Sequence, residues 1–132
     1  MEVLLVEPGK EARIAEIGND LKSLQAAVGG YIEAIYPFYD PVALVCNDEG
    51  KIMQMPLNRA LRGEDGKIYD AIAGSFFICG LGEDNFCSLP KDLQAKYLEK
   101  LRWPEKFLAI GGNLVAVQDR PSEAAHKPAP ER

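Results

Sequence analysis

Five polar side chains of this 132-residue chain have the types and spacing to do chemistry: Glu33, Asn47, Glu49, Asn58 and Arg59. They bracket a stretch in which a strand is expected to end in the turn Asn47-Asp48-Glu49-Gly50 and a short helical turn to begin at Pro56. Strand ends and helix starts are where polar recognition groups converge, and an arginine fork suits phosphate or carboxylate. Glu33, between Tyr31 and Ile35 on one side of an expected strand, needs water, a cation such as Arg59 or a ligand hydroxyl to satisfy it. The chemistry this set offers is recognition of a small polar or anionic ligand. Loop capping and surface solvation are the plainer use of the same residues.

Catalytic machinery of the familiar kinds is absent from the sequence. The one histidine, His126, falls in a Pro/Ala/Glu-rich tail, so the expected folded part carries no imidazole. Ser75 stands in Ala-Gly-Ser-Phe-Phe rather than in a nucleophile elbow, which removes triad hydrolysis. No phosphate-loop motif occurs, and Gly80-Leu81-Gly82 precedes Glu83-Asp84, which would repel a phosphate. The three cysteines, Cys46, Cys79 and Cys87, lack a C-x-x-C spacing and argue against a disulfide framework, a zinc ribbon or a thioredoxin-like motif. Cys46 and Cys79 lie in apolar runs and read as small core residues. Carboxylates such as Glu33, Asp48, Glu49, Asp65 and Asp70 keep a small metal-assisted hydrolase open as the alternative function. No catalytic residue, metal ligand or cofactor is assigned, and the balance leans away from an enzyme.

The elements that must position the five residues follow from periodicity. Val3 to Glu7 reads as a strand, paired with apolar positions between Ala12 and Ile17. A first helix is expected over Asp20 to Val28, capped by Asn19 and stopped by Gly29-Gly30. Tyr31 to Phe38 alternates as a strand, and Val42 to Cys46 is apolar throughout, as a strand covered on both faces would be. Pro56 to Arg62 is expected to be a helical turn carrying Leu57 and Leu61 toward the core, and Ala71 to Cys79 a central strand. A second helix, capped near Ser88, presents Leu93, Tyr97, Leu98 and Leu101 on one stripe and ends before Pro104. Trp103, Phe107 and Tyr97 read as packing groups rather than a stacking platform. Phe107 to Ile110 and Leu114 to Val117 flank Gly111-Gly112-Asn113 as a hairpin with a three-residue loop. The expected fold is α+β: a small mixed or antiparallel sheet with two main helices and a C-terminal β-hairpin. One domain is expected over residues 1–118, followed by a frayed tail over 119–132.

Composition narrows the setting. A net charge of −5 weakly repels polyanions, so direct nucleic-acid binding is not expected. The apolar start, Val3 to Val6, is too short and has no basic segment before it, so it is no signal peptide. No apolar run approaches the roughly 18 residues that span a bilayer. A cytoplasmic protein without membrane contact is expected, with a homodimer as one way to cover an apolar sheet edge.

Four segments, Val28-Gly29-Gly30-Tyr31-Ile32-Glu33, Asn47-Asp48-Glu49-Gly50, Pro56-Leu57-Asn58-Arg59-Ala60 and Ala73-Gly74-Ser75-Phe76-Phe77, occur in the order found in a family labelled domain of unknown function 3846, which the chain resembles over roughly residues 1 to 118. The resemblance implies a protein of a phage, plasmid or conjugative element, and brings no established activity. Together with the missing catalytic groups it leads to the expectation of a non-catalytic binding protein of a mobile element. Its partner would be a small molecule or a host protein, with counter-defence as one setting.

Overall fold

The structure is a computed structural model that describes residues 1–121. Alternation in Phe76–Leu81 sends Phe76 and Ile78 to one side and Phe77 and Cys79 to the other, and all four are buried. A strand buried on both faces belongs at the centre of a sheet, and here it pairs with Glu2–Val6 on one side and Val42–Asn47 on the other. In chain order the elements are β1 (Glu2–Val6), β2 (Arg13–Glu16), α1 (Leu21–Val28), β3 (Ile32–Ile35), β4 (Val42–Asn47), β5 (Leu57–Arg62), β6 (Ile68–Ala73), β7 (Phe76–Leu81), β8 (Phe86–Cys87), α2 (Lys91–Leu101), β9 (Glu105–Ile110) and β10 (Asn113–Gln118). The main sheet runs β2-β1-β7-β4-β3, with β8 added to β7, and every pairing is antiparallel. The pairs β5–β6 and β9–β10 form separate two-stranded sheets.

Two apolar layers follow from that alternation. Val3, Ala43, Val45, Phe77 and Cys79 meet Leu24 and Val28 of α1 on one face. Leu4, Val6, Val42, Leu44, Phe76 and Ile78 meet Leu61 and Ile72 of the β5–β6 pair and Tyr97 and Leu101 of α2 on the other. Fully burying one large aliphatic or aromatic side chain contributes roughly 1.5–3 kcal/mol, so the covering elements are held mainly by these contacts. All six residues of β4 are buried, the five of its apolar run and the polar Asn47 that ends it.

Several local expectations hold in altered form. Helix α1 begins one residue late, with Asp20 rather than Asn19 at the cap, its carboxylate accepting from Ser23 N–H at 3.1 Å. It ends at Gly29, φ 80°. Strand β3 stops at Ile35, short of Phe38, because Pro37 has no N–H to offer a ladder. Ser88 does not cap α2. Its hydroxyl accepts from Glu2 N–H at 2.8 Å, and Pro90 takes the cap position. The C-terminal hairpin forms, but Ile110 pairs with Asn113, so its loop is the two residues Gly111-Gly112, with φ of 59° and 81°. That handedness matches the twist of the flanking strands, and glycine adopts it without strain.

Two expectations are overturned. Pro56 to Arg62 is not a helical turn. Leu57–Arg62 is strand β5, paired with β6 through an irregular register that leaves Asn58 as an extra residue between Leu57 and Arg59. The i, i+4 spacing of Leu57 and Leu61 fits one face of a strand as well as one face of a helix, so it could not tell the two apart. Nor is Ala71 to Cys79 one strand: Gly74, at φ 84°, turns the chain between β6 and β7 and sends the two halves into different layers. Most of the segment 119–132, His126 included, lies outside the described residues.

Candidate functional site

Strand β3 and the turn after β4 bring three of the five polar residues together. Glu33, Asn47 and Glu49 line a cleft of about 200 Å³, with Asp48, Gly50, Lys51 and Asp70. Asn47 is spent on building the turn. Its Oδ1 accepts from Glu49 N–H at 2.7 Å, and its Nδ2 donates to Val28 O at the end of α1 at 3.1 Å. Glu33 and Glu49 are exposed, and no bond to Arg59 forms. Four carboxylates here face one ammonium, that of Lys51, which is itself paired with Asp70. Beneath them the Cys46 thiol is pushed up to about 11, first by burial and then by the charges of Glu33, Asp48 and Asp70. A cleft of this sign disfavours an anion.

Asn58 and Arg59 are elsewhere, and both are fully buried. Asn58 Nδ2 donates to Val6 O at 3.0 Å and Gly74 O at 2.9 Å, tying β5 to the ends of β1 and β6. Arg59 Nε donates to Leu101 O at 2.9 Å, and its Nη2 to Lys10 O at 2.7 Å and Arg102 O at 3.3 Å. The last carbonyls of a helix have no partner within the helix and carry its negative dipole end, so a buried guanidinium there is well placed. Burial pushes Arg59 down to about 10, partly opposed by Glu105, and the group stays charged at neutral pH. The guanidinium fork is therefore engaged within the fold, by backbone carbonyls and by Asn58 Oδ1.

A larger recess lies on the other flank of α2. The loop after β3, the β5–β6 pair and α2 enclose a groove of about 610 Å³. Its walls carry four aromatic rings: Phe38, Tyr39, Tyr69 and Tyr97. Phe38 and Tyr97 pack with centroids 4.7 Å apart and planes inclined at 46°. Asp40 Oδ2 accepts from Lys96 Nζ and from Tyr97 OH, each at 2.6 Å. Those bonds, Lys96 first, hold the Asp40 carboxyl below the usual range, while burial and then Asp40 raise the Tyr97 phenol. Lys100 Nζ sits 5.8 Å from the centre of the Phe38 ring. Glu105, whose side chain is only 6% exposed, accepts from Ala60 N–H at 2.9 Å through Oε1. Arg62 reaches Glu105 Oε2 and Ala116 O, both at 3.4 Å.

The groove residues come from five separated stretches of the chain, and no sequence spacing joins them. The one local signal was the α2 stripe, which places Tyr97 inward and carries Lys96 and Lys100 beside it. Among the described residues, no three His, Cys, Asp or Glu side chains gather in a set able to hold a metal ion. Among the same residues, no helix is long and apolar enough to cross a membrane.

Fold and recess together define an α+β domain on an antiparallel six-stranded sheet, with a lateral groove beside its second helix. Residues 1–102 match the domain of unknown function DUF3846, and the chain belongs to that family. No curated protein and no solved structure matches the chain. The matched segment closes at Arg102, so the β9–β10 hairpin lies beyond it.

Proposed function

We propose that this protein is a non-catalytic binding module of a mobile genetic element, and that it receives a small ligand in the groove beside α2. The observation that carries this reading is the gathering of four aromatic rings in a groove of ligand size. Its volume of about 610 Å³ lies within the roughly 300–1,000 Å³ usual for small-molecule sites, whereas the cleft at Glu33 and Glu49 offers about 200 Å³. The groove also combines apolar ring faces with a few fixed polar groups, the composition such sites favour. The setting in a mobile element rests on the resemblance of the four ordered segments alone. Amide NMR spectra of labelled protein, recorded against a library of small neutral, cationic and anionic ring compounds, test the reading. Shifts clustered at Phe38, Arg62 and Lys100 support it. A library that leaves those amides unmoved, or moves only those around Glu33 and Glu49, overturns it.

A protein partner is favoured by a different observation. The β9–β10 hairpin leaves Leu108, Ile110, Leu114 and Val117 between 42% and 58% exposed. If that reading holds, Leu108→Glu together with Leu114→Glu abolishes capture of a specific host protein that the unaltered chain retains. Unchanged capture sinks it.

A further inference from the structure

Resting on the reading of the groove as a ligand site, we propose that its ligand is an aromatic ring carrying a phosphate, the chemistry of a nucleoside monophosphate. The ring half of the argument is the wall. Tyr39 and Tyr69 are 94% and 60% exposed, so two aromatic faces stand in water at the mouth while Phe38 and Tyr97 line the interior. Flat rings stack on such faces in offset or edge-on arrangements, and burying them removes apolar area from water.

The charge half comes from which groups are already engaged. Three acids and three bases line the groove, which would suggest neutrality. Yet every acid has a partner. Asp40 is bonded by Lys96 and Tyr97, Glu105 by the Ala60 N–H, and Glu64 by the Tyr39 hydroxyl. Of the bases, only Lys96 is so closely held. Lys100 makes no ion pair with a carboxylate among the described residues, and its ammonium rests near the Phe38 ring. Arg62 keeps two contacts of 3.4 Å, near the outer limit for a hydrogen bond. The cations least engaged are therefore Lys100, which has no carboxylate partner among those residues, and Arg62, whose ion pair with Glu105 is long at 3.4 Å. A guanidinium fork with an ammonium suits a phosphate dianion, which has oxygens enough for both. A cationic ring meets only carboxylates that already accept hydrogen bonds, and a bare anion leaves the aromatic wall in water.

Calorimetry and amide NMR on the full chain test this with four probes: adenosine monophosphate, adenosine, inorganic phosphate and benzamidine. Adenosine monophosphate is expected to shift the Phe38, Arg62 and Lys100 amides and to bind at least about tenfold more tightly than adenosine or phosphate alone. Lys100→Gln and Arg62→Gln should each weaken it by about tenfold, whereas Lys22→Gln, on the opposite face in α1, should leave it unchanged. Unaltered thermal melting confirms that each variant is folded. If adenosine or benzamidine occupies the groove and the monophosphate binds no better, the ligand class is wrong while the groove stands as a site. If none of the four moves a groove amide at millimolar concentration, the ligand class falls too, and the ring library separately decides whether the groove is a site.

Discussion

Asn58 and Arg59 are neighbours in one strand, where side chains normally leave on opposite faces, yet Asn58 Oδ1 accepts a hydrogen bond from Arg59 Nη1 at 2.9 Å. The extra residue in β5 makes this geometry available, since alternation is suspended at the bulge. Between them the two side chains satisfy backbone carbonyls of residues 6, 10, 74, 101 and 102. The pair is a junction for β1, the loop after it, the β6–β7 turn and the end of α2.

Replacing Arg59 by Met should therefore be costly. An acceptor stripped of its donor costs roughly 1–3 kcal/mol, and the carbonyls of Lys10 and Leu101 would lose theirs while Arg102 O keeps the Ala12 N–H, so a loss of at least about 2 kcal/mol is expected. Arg59→Lys should recover little of it, since an ammonium cannot span the fork geometry. Urea unfolding measures both. A loss within about 1 kcal/mol for Arg59→Met would show that the carbonyls find other donors.

Gly74→Ala tests the turn that separates β6 from β7. A non-glycine residue in the left-handed region costs about 1–2 kcal/mol, and the added Cβ would lie 2.7 Å from Met55 Sδ. Pairing it with Met55→Ala should restore the steric part and leave the backbone part. Equal stability of Gly74→Ala and the parent chain would contradict the observed φ.

Acid should weaken the α2 flank through Asp40. Because its folded carboxyl titrates below the ordinary value near about 4, the stabilising contribution is complete above that value and is lost as pH falls through the lower, folded one. Asp40→Asn cannot titrate. Its melting temperature should accordingly fall less steeply than the parent's on acidification, and parallel curves would exclude Asp40 as a source of acid sensitivity.

Thiol labelling should separate the three cysteines. Cys87 is exposed, whereas burial pushes the Cys46 and Cys79 thiols up to about 11 and about 12. Iodoacetamide near pH 8 should add one group to the native protein, at Cys87, and three in urea. Mass spectrometry of the native protein would expose any error as an early second adduct.

What the sequence revealed divides along a physical line. Elements defined by long apolar patterns were legible: β4 from its unbroken run, α2 from its stripe, and the C-terminal hairpin from paired glycines. Elements defined by an interruption were not. Leu57 and Leu61 imitated a helix because i and i+4 share a face in helix and strand alike, and the bulge at Asn58 left no clean alternation to decide between them; Gly74 was absorbed into a strand although a glycine inside an apolar run is itself a signal of a bend. The polar set divides between two places for a related reason. Sequence spacing placed Asn58 and Arg59 beside Glu33, but a buried carbonyl gives no trace in the sequence, so the acceptors that draw both residues inward could not be read. The groove was invisible because Phe38, Arg62, Tyr69 and Lys100 meet only once the sheet and α2 have packed.

The Arg59 junction also bears on how the chain is made. Its acceptors include carbonyls of residues 101 and 102, and the segment shared with the family closes at that same residue, 102. On the ribosome, strands β1 through β7 emerge while the Arg59 side chain still lacks its last acceptors, and a cation cannot be buried without them. Completion of the sheet's α2 face thus waits for residue 102 to clear the exit tunnel. A chain truncated a few residues earlier would leave the same guanidinium without its anchors, which makes residue 102 a natural end to the shortest piece able to close that face.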